Sequence, residues 1–200
     1  MARTQAADYE QRRETIVEKA AALFAKQGFH GTSMSDLSAA TTMSKSLLYH
    51  YYGSKEEMLY AVMLSHVDQL VGDVEGVMQL DLAPKAKLAA LIHAFMVHYV
   101  GAVDRQKVLL NELESLPPDR RTVIVSKQRM IVDTLQGLLV EIFGKLESTA
   151  EERVRTMLIF GMINWTHTWF DPKGTVSPDR LADMVVDFTM SAAPGTVRSA

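Results

Sequence analysis

The sequence predicts an all-α protein, with an N-terminal three-helix helix-turn-helix domain joined by a long helix to a larger C-terminal helical domain. Three observations carry this reading. Apolar residues recur at three- and four-residue spacing along most of the chain and nowhere alternate as a half-buried strand would. Helix-start signals, a serine followed three residues later by an acid, stand at Ser33, Ser54 and Ser148. The stretch from Ser44 to Leu59, SKSLLYHYYGSKEEML, places two helix starts ten residues apart, which leaves room for a helix of only about two turns between them.

Taken in order, Ile16, Val17, Ala20, Leu23 and Phe24 form the apolar stripe of a helix from Glu10 to Gln27 that ends at Gly28. Phe29 and Gly31 lie in the connection, and Thr32 or Ser33 caps a short second helix carrying Met34, Leu37 and Ala40. Thr41 and Thr42 separate it from a third helix that starts after Ser44, with Gly53 expected to take the left-handed conformation that stops it. A fourth helix runs from Ser54 toward Leu80, and the capping box there pairs Ser54 with Glu57. Leu37, Leu47, Leu48 and Tyr52 are the expected core of this small domain.

Beyond Asp81, Pro84 opens an apolar helix to about Val103, and Gln106 to Leu116 forms another, closed by Pro117 and Pro118. The next helix runs to about Leu146. Ser148 or Thr149 caps a helix reaching Trp169 or Phe170, which Asp171-Pro172-Lys173-Gly174 ends. Ser177-Pro178 opens the last helix, with a stripe of Leu181, Met184, Val185 and Phe188, and residues 193–200 read as a loose tail. The domain division is expected at 1–55 and 56–200.

The 200 residues, 48% hydrophobic and 22% charged, suffice for a sizeable core. With no cysteine there is no disulfide framework, thiolate metal site or cysteine nucleophile. The start MARTQAADYEQRR lacks the apolar core of a signal peptide. The most apolar window, Leu88 to Val103, is shorter than the roughly 20 residues of a membrane helix and is broken by His93 and His98, so a cytoplasmic location is expected and no membrane partner. The net charge of −3 excludes coating of nucleic acid by charge alone. Residues 1–55, however, carry seven Lys/Arg against five Asp/Glu, a balance of +2 that leaves −5 for the rest. No GxSxG elbow, phosphate-binding glycine loop or HExxH pattern is present, and His93 and His98 lack the spacing to chelate one metal, which argues against an enzyme and against any metal or cofactor. A DNA-bending architectural protein would be more basic and would not need the large apolar half.

The segment Ile16 to Val62 resembles the DNA-binding domain of TetR-type transcriptional regulators. The resemblance rests on Ala20, Phe24 and Gly28 in the first helix, on GFHGTSMSDLSAA, and on SKSLLYHYYGSKEEMLYAV. One departure stands in the turn, where family members often have glycine and this chain has the β-branched Thr42, a poor choice for positive φ that points to an altered turn geometry. The resemblance implies that the third helix enters the major groove of double-stranded operator DNA, with Ser44, Lys45, Ser46, Tyr49, His50 and Tyr51 at bases and phosphates. It also implies phosphate contacts from Thr32 and Ser33 at the start of the second helix and from Lys55 in the first turn of the fourth. Arg3, Arg12 and Arg13 are weaker candidates in an N-terminal arm.

One short recognition helix reads too little sequence alone, so a homodimer on a palindromic operator is expected. Val154, Leu158, Gly161, Trp165 and Trp169 recur at helical spacing, and a mid-helix glycine, costing roughly 1 kcal/mol, suits close approach of a partner helix. With Leu181, Val185 and Phe188 these residues form the expected dimer face, the alternative being that the tryptophans fill the chain's own core. In the family the larger domain holds an effector cavity. The candidates here are the apolar Phe95, Tyr99, Phe160 and Trp165 with the polar His98, Asn111, Gln128, Arg129, Asn164 and Thr168. The phrases KVLLNELESLPPDRR and GMINWTHTWFDPKGTVSPDRLAD are similar to a subgroup responding to acyl-CoA or aryl-CoA thioesters, including phenylacetyl-CoA sensors. That similarity implies an acyl group in the cavity and phosphates at Arg120, Arg121, Lys127 or Arg129. The alternative is a repressor of an efflux or other catabolic system sensing a different apolar molecule.

Overall fold

The computed structural model describes residues 2–191, with side chains from residue 7 onward, so Arg3 and the tail at 193–200 lie outside the described side chains. The described residues are helical throughout apart from turns and connections. The nine α-helices among them are α1 Ala2–Gln27, α2 Met34–Thr41, α3 Lys45–Tyr51, α4 Lys55–Gln79, α5 Pro84–Gly101, α6 Val103–Asn111, α7 Pro118–Phe143, α8 Thr149–Asn164 and α9 Pro178–Ser191. No single helix among the described residues is long and apolar enough to cross a membrane.

Packing groups these helices into two compact units that are not contiguous in sequence. Among the described residues, one comprises those up to Val67 with 104–125, the other 68–103 with those from Ser126 onward. In the first, Ile16, Ala20 and Phe24 of α1 are buried, as are Leu37 of α2, Leu48 of α3, Met58, Leu59, Val62 and Met63 of α4, and Val108, Leu116 and Ile124. Tyr52 is buried as expected, while Leu47 is only half-buried. In the second unit α9 packs along α5, and Leu88, Leu91, Ile92, Phe95 and Met96 are buried together with Leu135, Leu138, Ile159, Ile163, Leu181 and Val185.

Several boundaries differ from the sequence reading for physical reasons. Helix α1 begins at Ala2 rather than Glu10. Helix α6 spans Val103–Asn111 rather than 106–116, and a 3₁₀ turn at Leu113–Ser115 leads to the proline pair. Helix α8 stops at Asn164, followed by a 3₁₀ turn at Trp165–Thr168. There Thr166 donates to the Ile163 carbonyl (2.7 Å) and Thr168 to the Trp165 carbonyl (2.8 Å), so side chains compete for the acceptors that α-helical N–H groups would use.

Candidate nucleic-acid interface

The α2–turn–α3 geometry follows from local capping chemistry. Ser33 Oγ accepts from the Asp36 N–H while the Asp36 carboxylate accepts from the Ser33 N–H at 2.8 Å, the reciprocal capping box the sequence announced. The Ser33 hydroxyl and N–H together hold the Asp36 carboxyl below the usual carboxylate range. Thr42 closes α2 in the left-handed conformation, φ 56° and ψ 27°, the single positive-φ non-glycine among the described residues. The turn therefore keeps a left-handed geometry despite its β-branched residue, contrary to the expectation of an altered turn. It is held by Ser38 Oγ donating to the Met43 carbonyl at 2.6 Å and by the Met43 N–H bonding the Ser38 carbonyl. Ser44 Oγ accepts from the Leu47 N–H at 3.1 Å and starts α3.

Within α3, Leu48 is the buried anchor, and Lys45, Ser46, Tyr49 and His50 are exposed with Ser44. These positions fall one turn apart, so anchoring at Leu48 turns one polar face outward. Tyr51 is half-buried, its ring 4.9 Å from that of Tyr9 on α1, and with Asp8 it favours the charged form of the Arg12 guanidinium. Tyr9 was missed in the sequence because it precedes the helix start expected at Glu10. Arg12 and Arg13 form ion pairs with Asp8 and Glu10, and the Arg13 guanidinium lies 5.3 Å from the centre of the Tyr52 ring. Burial pushes the Tyr52 phenol up, with Arg13 opposing it.

Three expectations at this site are corrected. Thr32 is buried, its hydroxyl donating to the Gly28 carbonyl at 2.8 Å, so its side chain faces inward. Lys55 Nζ donates to the carbonyls of Phe29 and Thr32, both at 2.8 Å, and lies 4.2 Å from the centre of the Phe29 ring. It ties the start of α4 to the α1–α2 connection rather than standing as a free cation. Gly53 is not left-handed, because α3 ends with Tyr52 in an extended conformation. The Gly53 N–H instead donates to Glu57 Oε2 at 2.8 Å, and a Cβ at Gly53 would stand 3.2 Å from that oxygen.

In the second unit the α8 and α9 residues separate into an inner and an outer set. Leu181 and Val185 are buried within the chain, which corrects their assignment to a dimer face. Leu158 (66%), Trp165 (65%), Trp169 (59%) and Phe188 (67%) are exposed with Val154 and Gly161, as are Met157, Met162 and Met184, which the sequence reading did not single out for this face. The tryptophans therefore do not fill this chain's core. A Cβ at Gly161 would meet nothing within 4 Å, so no contact inside the chain requires that glycine.

The effector candidates are only partly brought together. Phe95 stacks on Tyr99 with centroids 6.3 Å apart and tilts against Phe160 at 6.1 Å, all three buried. His98 Nε2 pairs with Asp73 at 2.6 Å. Gln128 and Asn164 are half-buried, whereas Arg129, Trp165 and Thr168 face outward, and Asn111 is exposed in the other compact unit. Arg129 lines an open groove of about 470 Å³ with Ser126, Met130, Asp133 and Thr134. Three cations considered for phosphate binding are paired internally: Arg120 with Glu57 at 3.0 Å, Lys127 with Asp68 at 2.7 Å, and Arg121 with Glu114.

A capped helix, a tight left-handed turn and a short anchored helix with a polar outer face define a helix-turn-helix DNA-binding protein. Residues 16–62 match the bacterial regulatory proteins of the tetR family, and residues 81–193 match the tetracyclin repressor-like C-terminal domain. The chain belongs to the TetR family of DNA-binding transcriptional regulators. It is similar to a TetR-family transcriptional regulator from Bordetella parapertussis 12822, at 38% identity over 94% of this chain and 98% of that one, with a TM-score of 0.86. It is also similar to AibR, solved in complex with isovaleryl coenzyme A and operator DNA, at 27% identity over 88% of this chain and 97% of that one, with a TM-score of 0.77. The repressor KstR2 of Mycolicibacterium smegmatis is 29% identical over 85% of this chain and 84% of its own length.

Proposed function

We propose that the protein is a homodimeric repressor whose two α3 helices hold a palindromic operator and which releases it on binding a coenzyme A thioester. In this reading residues 1–55 bind DNA, and residues 56–200 bind the effector and dimerise. The observation that carries the effector class is the likeness to AibR, crystallised with isovaleryl coenzyme A and operator DNA, which extends over nearly the whole of both chains. Lys45, Ser46, Tyr49 and His50 supply the base-reading face, with Ser33 and Ser44 at phosphates and Tyr51 at the edge of the interface.

Dimerisation is supported by the outer face of α8 and α9. Leu158, Trp165, Trp169 and Phe188 are large apolar side chains left mostly exposed on these two elements and the turn after α8, surface that a second copy of the chain would cover. Phe95, Tyr99 and Phe160 form the apolar wall against which an acyl group would lie, and Arg129 is the cation in the second unit suited to its phosphates. Release requires differential affinity, so the thioester must favour a conformation in which the two recognition helices no longer match adjacent grooves.

Mobility-shift titration with isovaleryl-CoA, phenylacetyl-CoA and free CoA tests the proposal. Release by a thioester and not by free CoA is the expected result, and retention of the complex with every thioester rejects this effector class. A Trp165→Glu, Phe188→Glu variant should sediment as a monomer at micromolar concentration. A wild-type monomer under the same conditions overturns the dimer.

A further inference from the structure

Glu57 lies in the first turn of α4, and three separate interactions converge on it. Its N–H donates to Ser54 Oγ at 3.1 Å, its Oε2 accepts from the Gly53 N–H at 2.8 Å, and its Oε1 accepts from Arg120 Nη2 at 3.0 Å. Arg120 lies in the first turn of α7, and its guanidinium carbon stands 4.7 Å from the centre of the Tyr60 ring, one turn further along α4. The face of Tyr60 and the carboxylate of Glu57 thus fix the plane of the guanidinium from two sides. Glu57 in turn fixes the backbone immediately after α3, where Tyr52 is already extended and carries no left-handed glycine to set the exit.

We propose that Arg120 is a positioning residue for the recognition helix, acting through Glu57, whose carboxylate it holds against the Gly53 N–H at the end of α3. Without Arg120 the carboxylate keeps its own rotamers and is free to swing to water, and the exit of α3 loses the bond that sets its angle. The loss falls on specific recognition, because base contacts need α3 in one orientation whereas phosphate attraction tolerates many. Arg120 itself touches no DNA in this scheme, so the number of phosphates neutralised stays the same. The inference rests on α3 being the DNA-reading helix.

The test uses the full-length protein with a duplex that it selects from a random-sequence library, and a scrambled duplex of the same length as the non-specific probe. Arg120→Gln is expected to weaken binding to the selected duplex by about tenfold per recognition helix, the scale of one charge-assisted hydrogen bond. Affinity for the scrambled duplex and the salt slope of binding stay unchanged. Arg120→Lys recovers a large part of the loss. Glu57→Gln, which keeps an acceptor for Gly53 but removes the charge that Arg120 pairs with, weakens selected binding, and the double variant is no worse than the poorer single one. A salt slope reduced by about one unit makes Arg120 a phosphate contact and overturns the proposal. So do additive losses in the double variant, or a fall in melting temperature with the ratio of specific to non-specific affinity intact. If Arg120→Gln does not fold, Arg120→Met takes its place in the cycle with Glu57→Gln, since it too removes the charge that Glu57 pairs with. A Lys45→Ala, Tyr49→Ala variant run alongside separates the two levels, since unchanged binding there removes α3 as the reader whatever Arg120 does.

Discussion

Replacing Thr42 by glycine should stabilise the protein, an unusual outcome for a substitution that removes a side chain. Thr42 sits at φ 56° and ψ 27°, where an L-residue with a Cβ is held at a cost of roughly 1–2 kcal/mol. Glycine removes that cost but gives the unfolded chain extra freedom worth about 0.5–1 kcal/mol. The hydroxyl of Thr42 bonds the Thr41 carbonyl at 2.6 Å on an exposed residue, and water replaces it at little cost. The net gain is therefore about 0.5–1 kcal/mol, or a rise in Tm of roughly 1–4 °C for a chain of this length. Urea unfolding followed by far-UV circular dichroism reads it as a higher midpoint at unchanged slope. Thr42→Asn, which tolerates the left-handed region, should recover part of the gain, and Thr42→Ala should recover little. A lower midpoint for Thr42→Gly, or an alanine variant as stable as the glycine one, would refute the assignment of strain to this residue.

Three further outcomes follow from the same region. Lys55→Met should leave the salt slope of DNA binding unchanged while lowering stability by about 1 kcal/mol, because the ammonium bonds two carbonyls in a part-buried site. A slope smaller by about one unit in a salt titration would return Lys55 to the phosphate backbone. Gly31→Ala should destabilise by about 1–3 kcal/mol, since its Cβ would stand 2.2 Å from the Gln27 carbonyl oxygen and backbone must move; a thermal melt at the wild-type temperature would contradict that placement. The folded-state pKa of Asp36 lies below its unfolded value. The contribution of its capping box is therefore present above the ordinary carboxylate pKa near 4 and is lost as pH falls through the lower, folded one. Urea midpoints across that range should show a shallower acid limb for Asp36→Asn, and identical limbs would exclude Asp36 as a source of the pH dependence.

The fold, and the capping and outward polar face of α3, were legible in the sequence because they rest on local chemistry. Ser33 with Asp36 and Ser44 before Leu47 announce helix starts through bonds three residues long, and Leu37 and Leu48 mark the buried side of helices too short to have another. What was not legible depends on residues distant in sequence. Lys55 looked like a phosphate ligand because it stands in the first turn of a helix, yet its acceptors are 26 and 23 residues away. Arg120 was a candidate for the phosphates of an effector, yet its carboxylate partner Glu57 is 63 residues distant. The stripe on α9 was read as one surface, although Leu181 and Val185 turn inward while Met184 and Phe188 turn outward. Periodicity finds apolar residues on a helix, but it does not say which of two neighbouring apolar rows meets the chain's own core.

The internal pairing of cations also bears on how DNA can be held. With Lys55 bonded to carbonyls and Arg12, Arg13 and Arg120 paired with carboxylates, Lys45 is the lysine or arginine of α3 that faces outward. Sequence-independent affinity scales with the number of phosphates neutralised, so a single α3 unit of this kind binds DNA weakly at physiological salt. On the reading proposed above, useful affinity comes from base contacts at Tyr49, His50 and Lys45, counted twice through the two half-sites of a dimer. In that reading the apolar side chains of Leu158, Trp165, Trp169 and Phe188 and the sparse charge of α3 are one requirement. A chain with more free cations near α3 would then depend less on dimerisation, and one that lost the proposed dimer face would lose selected DNA before it lost the fold.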